Sequence, residues 1–355
     1  MLVAGANYAE SVTLIGGVDL LGGYNALNWS RDWNVNLTVL QSPSGNGHMR
    51  TVIAKNLTEP TVLQGFAIYG RTASSQSKNS YAIWAKGCSS ALSVVDNLVY
   101  GGDGAPGAVG GVGTDGLDGK NGNAGVDAIE PGSVCNTTSL GGNGGQRSCS
   151  GISVAGGKGG NAQCSPISGQ QGSAQNGQTG SNNSGGAGGG GSGGWDGQTS
   201  SATNCGLCNL PAVSMTGGHA NNGSDGGHGS SGSGCSEPNG SVVNGHWVPG
   251  VGQGAGSGGH GGGGGGGGAG GGGEDVSAGW SSCYDDLGAT GGGGGSGACG
   301  GSAGAGGTGG GASFGIFITG GASAPMVSGN TVQLGYGGGG GSGGPGGVGG
   351  AGGDG

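Results

Sequence analysis

Hydrophobic and polar positions alternate over short stretches of the first 100 residues. In "VNLTVL" the apolar residues are Val35, Leu37 and Val39, and a polar residue separates each from the next. This period of two is typical of a half-buried strand. Similar short runs occur at "SVTLIGGVDLLGGY", "TVIAKN", "TVLQGFAIYG" and "YAIWAKG", and Gly, Asn and Ser separate them. Because no stretch combines helical periodicity with helix caps, the pattern predicts short strands joined by turns.

One of these stretches is repeated far along the chain. The segment "SYAIWAKGCSSALSVVDNLV" (80–99) aligns without a gap with "SFGIFITGGASAPMVSGNTV" (313–332), at a constant offset of 233 residues. The identical pairs include Ile83 with Ile316 and Val94 with Val327. Stacking of like residues on like residues is the arrangement of a β-solenoid, in which each repeat packs on its neighbour.

These segments resemble a known family of folds. The stretches "YAESVTLIGGVDLLGGYN", "LQGFAIYG" and "FGIFITGGASAPMVSGNTV" are similar to coils of right-handed parallel β-helix (pectate-lyase-like) repeat proteins that bacteria secrete. The resemblance covers residues 1–100 and 313–334, about a third of the chain. It implies β-helix coils at 1–100, a glycine-rich insertion at 101–312, a resumed coil at 313–334 and a glycine-rich strand at 335–355. It implies almost nothing about function.

Glycine recurs at every third position in long parts of the insertion. It does so from 101 to 125, from 223 to 232 and from 288 to 300, and the tail has the stricter form G-G-X. Gly/Ser-rich composition is normally typical of a flexible coil, and the 10 prolines among 108 glycines are too few for collagen. A period of three is that of a polyproline-II-type helix, which has no internal hydrogen bonds. Glycine edges would let such helices approach and exchange N–H···O=C bonds.

The insertion and the tail together contain about eight such segments. They lie roughly at 101–125, 139–146, 153–162, 183–197, 217–234, 250–273, 288–312 and 335–355. Their pattern is similar to the polyglycine II bundles of snow flea antifreeze protein and of certain phage tail-tip adhesins, and resembles glycine-rich mycobacterial surface proteins. The predicted fold is therefore all-β: a right-handed parallel β-helix with an inserted polyglycine II bundle, stapled by disulfides. The outward edge of the tail would carry Ser342, Pro345, Val348, Ala351 and Asp354.

The chain has nine cysteines, which matter for its stability because glycine segments bury little apolar surface. Disulfides commonly replace a missing core in secreted proteins, so we expect an oxidising, extracellular location. The odd number leaves one thiol free or paired between chains. The disulfide candidates are Cys135, Cys149, Cys164, Cys205, Cys208, Cys235, Cys283 and Cys299.

One pair of these cysteines also has the spacing of metal ligands. Cys205 and Cys208 form a Cys-x-x-Cys motif, and His219 and His228 follow it. No second motif of this kind occurs, whereas a structural zinc site usually needs one, so disulfide use is favoured. Asp115 and Asp118 in "GVGTDGLDG" superficially resemble calcium-binding repeats. Because those repeats run on nine residues rather than three, a surface ladder is the favoured interpretation and no metal site is predicted.

Charge excludes several classes of partner. The chain has 9 basic and 18 acidic residues, a net charge of −9, and no cluster of Lys or Arg. Nucleic acid and anionic membrane surfaces are therefore not expected partners. No apolar run approaches the ~18 residues that a membrane span needs. The opening "MLVAGANYAE" lacks the charged region and apolar core of a signal peptide.

No catalytic motif emerges from the charged residues. The charged candidates near the predicted strands are Glu10, Asp19, Arg31, Arg50 and Arg71, which form no cluster or motif. We therefore expect no enzymatic activity and no cofactor.

Aromatic residues in the connectors between glycine segments are the candidate ligand-binding residues. They are Trp195, Trp247, Trp280 and Tyr284. Aromatic side chains on loops of a rigid scaffold suit glycan or receptor binding, and the alternative is that they cap the ends of the bundle.

Three functions follow from these features. The leading hypothesis is an extracellular structural protein that self-associates into a homopolymer, either a fibre or a surface layer, because exposed solenoid ends pair with other chains unless capped. The alternative is an adhesin that binds a cell-surface glycan. Ice binding ranks third, since the outward edge of the tail mixes Pro, Val and Asp.

Overall fold

A computed structural model describes residues 1–127, 129–132, 138–163, 173–182, 219–235, 239–261, 263, 265–266 and 285–355. The chain forms two compact units. Unit 1 comprises Met1–Gly111, Gly232–Gly254 and Ala305–Gly344, and unit 2 comprises Val112–Ser231, Ala255–Gly304 and Pro345–Gly355. Every regular element in the described part of the chain is a β-strand, which confirms the predicted all-β class. The same residues include no helix able to span a membrane.

The strands are numbered in chain order. Those of unit 1 are β1 (Leu2–Ala4), β2 (Asn7–Tyr8), β3 (Val12–Thr13), β4 (Leu20–Tyr24), β5 (Thr38–Gln41), β6 (Met49–Lys55), β7 (Thr61–Gln64), β8 (Phe66–Tyr69), β9 (Ser80–Lys86), β10 (Leu92–Val95), β11 (Leu98–Tyr100), β18 (Ser241–Val243), β19 (His246–Val248), β21 (Ser313–Thr319), β22 (Met326–Ser328) and β23 (Thr331–Gln333). Those of unit 2 are β12 (Ile129–Gly132), β13 (Thr138–Ser139), β14 (Ser148–Cys149), β15 (Ile152–Ser153), β16 (Ala162–Gln163), β17 (Ser173–Ala174) and β20 (Asp285–Leu287).

Unit 1 is built on three parallel sheets. Sheet A has the order β1-β4-β7-β10-β22, sheet B the order β2-β5-β8-β11-β23, and sheet C the order β3-β6-β9-β21. Successive strands visit sheets A, B and C in turn, and this rotation resumes at β21 after the long separation from β11. We call β1–β3 the first rung and β21–β23 the last rung. Each rung therefore adds one strand to every sheet.

The repeat predicted which strands are neighbours, and the pairing confirms it. Ser313 of β21 lies beside Ser80 of β9, and Val327 of β22 lies beside Val94 of β10. Both pairs have the offset of 233 residues. The core lies between the sheets, where side chains such as Leu63, Ile83 and Val94 are fully buried. Stacked apolar columns of this kind place like residues at equal offsets, which explains the sequence repeat.

One predicted strand is wrong in its extent. Strand β5 begins at Thr38, whereas Val35 and Leu37 lie in the preceding loop with exposed fractions of 76% and 44%. Thr38 rather than Leu37 faces inward, because its hydroxyl accepts a hydrogen bond from the Gly23 amide at 2.9 Å and so is satisfied when buried. The apparent alternation therefore ran out of phase with the true strand.

Unit 2 surrounds one extended segment, residues 290–304, with hydrogen-bonded neighbours. Successive amides of this central segment donate to three different segments in rotation. The Gly293 amide donates to the Asn123 carbonyl, the Gly294 amide to the Gly157 carbonyl and the Gly295 amide to the Asn221 carbonyl. The next three amides of the central segment donate to carbonyls of the same three segments, each three residues away from the one before. Such rotation shows that the central segment has three residues per turn.

The carbonyl groups of the same segment accept from three further neighbours. Amides at 142 and 145, at 258 and 261, and along 347–353 donate to its oxygens. The central segment therefore contacts six others, and its backbone polar groups find partners without a sheet. Glycines 291–295 and neighbouring residues are buried or half-buried there.

Glycine is required in unit 2 for close approach. A Cβ atom added at Gly116 would overlap the Cys299 carbonyl oxygen, and one at Gly293 would overlap the Asn143 carbonyl oxygen. Neither glycine has a positive φ, so conformational freedom is not the reason for glycine here. Occasional hydroxyl residues are accommodated inside. Buried Ser296 accepts the Lys120 amide through its hydroxyl at 2.7 Å.

A disulfide joins the central segment to the β14–β15 hairpin. Cys149 and Cys299 are bonded, with their Cα atoms 5.4 Å apart. This confirms two of the predicted disulfide candidates. The Cys235 Sγ atom lies 3.1 Å from the Gly250 carbonyl oxygen in unit 1, and Cys88 carries a free thiol buried in the core. The remaining candidates lie outside the described residues: Cys135, Cys164, Cys205, Cys208 and Cys283.

Candidate functional sites

The last rung presents an open edge to solvent. Strands β21, β22 and β23 pair with β9, β10 and β11 respectively, and no described strand pairs with their other side. All residues of β22 and β23 are exposed. The backbone groups along this edge are therefore free to pair with another chain.

The exposed side chains of this edge belong to the interior columns of unit 1. Val327 lies beside Val94 and Val332 lies beside Val99, and both partners are fully buried. Val327 and Val332 nevertheless remain 43% and 45% exposed, because no further strand of the described residues covers them. The last rung thus ends the core without capping it.

Charge does not protect this edge. Residues 313–334 contain no Asp, Glu, Lys or Arg, whereas the rung that they repeat carries Lys86 and Asp96. Natural sheets commonly block their edges with charged side chains. An uncharged, apolar and unpaired edge is therefore the arrangement expected of an interface.

The first rung offers the complementary edge. Strands β1, β2 and β3 pair only with β4, β5 and β6 among the described strands. A cavity of about 480 Å³ opens there, and apolar side chains including Leu2, Val12 and Ile15 line it. The first rung forms one edge of each sheet and the last rung forms the opposite edge. Because all strands of these sheets are parallel, the two edges can pair with each other.

A hairpin from the glycine-rich region covers sheet C. Strands β18 and β19 are antiparallel and joined by Asn244 and Gly245, which have φ values of 53° and 80°. Positive φ at both positions is the mark of a type I′ turn, and Asn-Gly is its preferred sequence. The pattern "SVVNGHWV" could therefore have predicted this hairpin, which was not among the predicted elements.

Polar groups of sheet C bind the backbone of the hairpin. The Trp84 indole N–H donates to the Gly245 carbonyl at 2.7 Å, and the Lys86 ammonium donates to the Asn244 carbonyl at 3.0 Å. The His246 ring then lies in stacking contact with His48 and Trp84, at centroid distances of 4.7 and 5.0 Å. The hairpin is thus held by hydrogen bonds around an aromatic cluster.

This cluster keeps both histidines neutral. Burial, followed in order by His246, Lys78 and Arg50, lowers the pKa of His48 to about 4. Burial also lowers the pKa of His246, followed by the positive charges of Arg50, Lys86 and Lys78. Neutral imidazoles stack without mutual repulsion, so the arrangement is suited to neutral pH.

Trp247 is the one predicted ligand residue within the described part of the chain. It is half-buried, its amide donates to the Tyr81 hydroxyl at 3.0 Å, and its carbonyl accepts from Asn79. A Cβ atom at Gly240 would touch the Trp247 ring, so the ring packs against the backbone there. Trp195, Trp280 and Tyr284 lie outside the described residues.

The exposed tryptophans of unit 1 lie elsewhere. Trp29 and Trp33 lie in the loop 25–37 between β4 and β5, with exposed fractions of 51% and 40%. Neither was predicted from the sequence as a ligand-binding residue. The signal that could have found them is two tryptophans in an Asn- and Asp-rich stretch between predicted strands.

The acidic and basic candidates engage separate structural partners. The Asp19 carboxylate accepts the Val62 amide at 2.9 Å, and the Arg50 guanidinium lies 5.2 Å from the Trp84 ring centroid. In unit 2 the Asp118 carboxylate accepts the Ala351 amide at 2.9 Å, and Asp115 accepts that of Val348. Among the residues described, no three His, Cys, Asp or Glu side chains are grouped so as to hold a metal ion.

Comparisons of the chain with protein-family models, with curated proteins and with solved structures find no match. Function is therefore inferred from the geometry of the open edges, the hairpin and the loop 25–37.

Proposed function

We propose that this protein is an extracellular structural protein whose copies associate head to tail into a fibre or a surface layer. The observation that carries the proposal is the open edge of the last rung, where Val327 and Val332 continue buried columns but stay exposed. Burying such side chains contributes about 25 cal/mol for each Å² of apolar surface removed from water. A second copy of this chain is the partner that supplies matching strands.

The topology favours head-to-tail contact over a two-fold dimer. Each sheet begins with a first-rung strand and ends with a last-rung strand, and every pair along it is parallel. The last rung of one copy can therefore extend all three sheets of the next copy at once. Contacts between two different surfaces generate open filaments when they do not close into a ring.

The same proposal includes a finer description of each unit. The rotation of strands through sheets A, B and C supports a right-handed parallel β-helix in unit 1. The six neighbours of segment 290–304 and their three-residue rotation support a polyglycine II bundle in unit 2. Backbone ¹³C shifts of Gly347, Gly350 and Gly353 test the second point. Polyproline-II values are expected, and helical or random-coil values would contradict it.

An extracellular location is supported by the Cys149–Cys299 disulfide. Disulfides persist in oxidising compartments and are rare in reducing ones. A glycine bundle needs such cross-links, because ordering each residue costs roughly 1–2 kcal/mol whereas each hydrogen bond returns about 0.5–1.5 kcal/mol.

Charge placed on the open edge tests the proposed assembly. Val327→Lys puts an ammonium group in the interior column of the last rung, where a second copy would bury it. Val348→Lys is the matched control, since Val348 is 55% exposed and lies on the outward edge of the tail. Sedimentation velocity and negative-stain electron microscopy should show assemblies for the native and control chains and monomers for Val327→Lys. Monomers of the native chain at high concentration would contradict the proposal.

A further inference from the structure

A corner of unit 1 carries an unusual carboxylate. At the turn between sheets A and B, Gly65, Asp96 and Gly329 occupy equivalent positions in successive rungs, with φ values of 80°, 52° and 65°. Glycine adopts this left-handed conformation freely, whereas other residues adopt it at a cost and often at functional sites. Asp96 is therefore the one side chain that projects from this column.

The loop 25–37 forms a small pocket over this corner. The pocket has a volume of about 210 Å³. Trp33, Asn34 and Leu37 line it from the loop, and Asp96, Leu98 and Gly329 line it from the corner. Trp33, Leu37 and Leu98 are each 39–44% exposed, so part of each apolar side chain remains accessible to a ligand. The pocket combines an aromatic wall with a few polar groups, which is the usual composition of a ligand site.

One chain of contacts holds both the aromatic ring and the carboxylate in place. The Arg31 guanidinium lies 5.0 Å from the Trp33 ring centroid and donates through Nε to the Gly22 carbonyl at 3.0 Å. Its second nitrogen donates to Gln64 Oε1 at 3.1 Å, and Gln64 Nε2 donates to Asp96 Oδ2 at 2.8 Å. The positions of Trp33 and Asp96 are therefore coupled through Arg31 and Gln64.

The other carboxylate oxygen of Asp96 is available. Asp96 Oδ1 has no hydrogen-bond partner among the described residues, and a Cβ atom at position 329 would overlap it. Glycine at 329 therefore leaves this oxygen room at the pocket. A free acceptor beside an exposed indole suits a ligand that has both hydroxyl groups and an apolar face.

We propose that this pocket binds a neutral pyranose ring of a glycan. The C–H face of the sugar packs against Trp33, and sugar hydroxyls donate to Asp96 Oδ1 and exchange hydrogen bonds with the Asn34 amide. A neutral sugar fits because the carboxylate of Asp96 lines the pocket, whereas the guanidinium of Arg31 is not among its lining residues. That guanidinium donates to Gly22 and Gln64, and its remaining nitrogen, Nη2, is buried. The site is distinct from the connector aromatics and does not depend on self-association.

Titration of the full chain with defined sugars tests the site. The probes are isomaltotriose, mannotriose, galactotriose and chitotriose, with trigalacturonate as the anionic probe, followed by calorimetry and tryptophan fluorescence. At least one neutral trisaccharide should bind. Trp33→Ala and Asp96→Asn should each raise its Kd about tenfold or more, since the first removes the aromatic wall and the second replaces the carboxylate acceptor by a neutral amide. Asn tolerates the positive φ of position 96, so Asp96→Asn keeps the corner folded.

Trp29→Asn is the matched control, because Trp29 is a similarly exposed tryptophan of the same loop that does not line this pocket. Its Kd should equal that of the native chain. The proposal is overturned if no neutral trisaccharide binds, if only trigalacturonate binds, if both pocket variants keep the native Kd, or if Trp29→Asn weakens binding equally. Sedimentation of the same samples separates this outcome from any loss of self-association.

Discussion

The His246 ring lies parallel to the His48 ring, with centroids 4.7 Å apart and planes 7° from parallel. His48 belongs to the region preceding β6, and His246 begins strand β19 of the hairpin. Their contact therefore joins parts of the chain that are 198 residues apart in sequence. The cationic side chains that surround them are Arg50, Lys78 and Lys86.

Acid should weaken this contact. The pKa values of His48 and His246 in the folded chain lie below their ordinary value of 6.5, and that of His48 is about 4. Between pH 4 and pH 6.5 the unfolded chain therefore binds more protons than the folded chain does. The contribution of the neutral pair to stability is complete above pH 6.5 and is lost as the pH falls towards 4. Denaturant unfolding measured at several pH values in this range should show that the free energy of unfolding decreases as the pH is lowered.

His246→Phe is the control for this effect, because the buried Nδ1 atom of His246 has no hydrogen-bond partner among the described residues and a phenyl ring can keep the stacking. The variant should lose less stability than the native chain over the same pH range. Equal pH dependence of the two chains would show that the histidine pair is not responsible.

Branched side chains should disrupt the packing of the tail. A Cβ atom at Gly346 would overlap the Gly229 carbonyl oxygen, and one at Gly349 would overlap that of Gly226. Gly346→Val or Gly349→Val should therefore lower stability by at least about 1–3 kcal/mol, the cost of overpacking. Val348→Ser, on the exposed edge, should change little. Equal thermal unfolding temperatures for both kinds of variant would mean that the tail does not pack.

Removing a side-chain acceptor should have a smaller effect. Asp118→Ala leaves the Ala351 amide without its protein partner and should cost about 0.5–1.5 kcal/mol in the free energy of unfolding. Asp127→Ala is the control, since Asp127 is also exposed and no hydrogen bond of its side chain is described. Because the Asp115 and Asp118 carboxylates bind amides, added calcium or EDTA should not shift the melting temperature. A calcium-dependent shift would restore the metal interpretation.

Loss of the Cys149–Cys299 disulfide should be strongly destabilising. The bond closes a loop of 150 residues, for which chain entropy gives about 4–5 kcal/mol at most. The double variant Cys149→Ala, Cys299→Ala should unfold at a much lower denaturant concentration than the native chain. Cys88→Ala, which removes a buried thiol but no cross-link, should have a smaller effect. The opposite order would contradict the role given to the disulfide.

The sequence predicted the features that recur along the chain. Stacked rungs place Ser313 beside Ser80 and Ile316 beside Ile83, so the equal offset is visible without a structure. Glycine at every third position is visible for a similar reason, because one side of each extended segment faces a neighbouring backbone. Regular packing therefore leaves a regular sequence signal.

Contacts between unrelated segments left no such signal. Nothing near Trp84 indicates that its indole binds Gly245, which is 161 residues away. The Trp33 pocket depends on a loop that folds over the corner at Asp96. Trp33 lies outside the repeat, and the repeat has Gly329 in place of Asp96, so the sequence repeat does not indicate the pocket. The start of β5 was misplaced because a hydrogen bond of the Thr38 hydroxyl, rather than hydrophobicity, decides which side chain faces inward.

Cryo-electron microscopy of the assembled native protein tests head-to-tail association most directly. We expect the last rung of one copy to lie against the first rung of the next, with β22 beside β1 and β23 beside β2 of the neighbouring copy. The strand spacing across this contact should be about 4.7–4.9 Å, as within a sheet. Filaments joined through other surfaces, or a native protein that stays monomeric at high concentration, would contradict the proposed function.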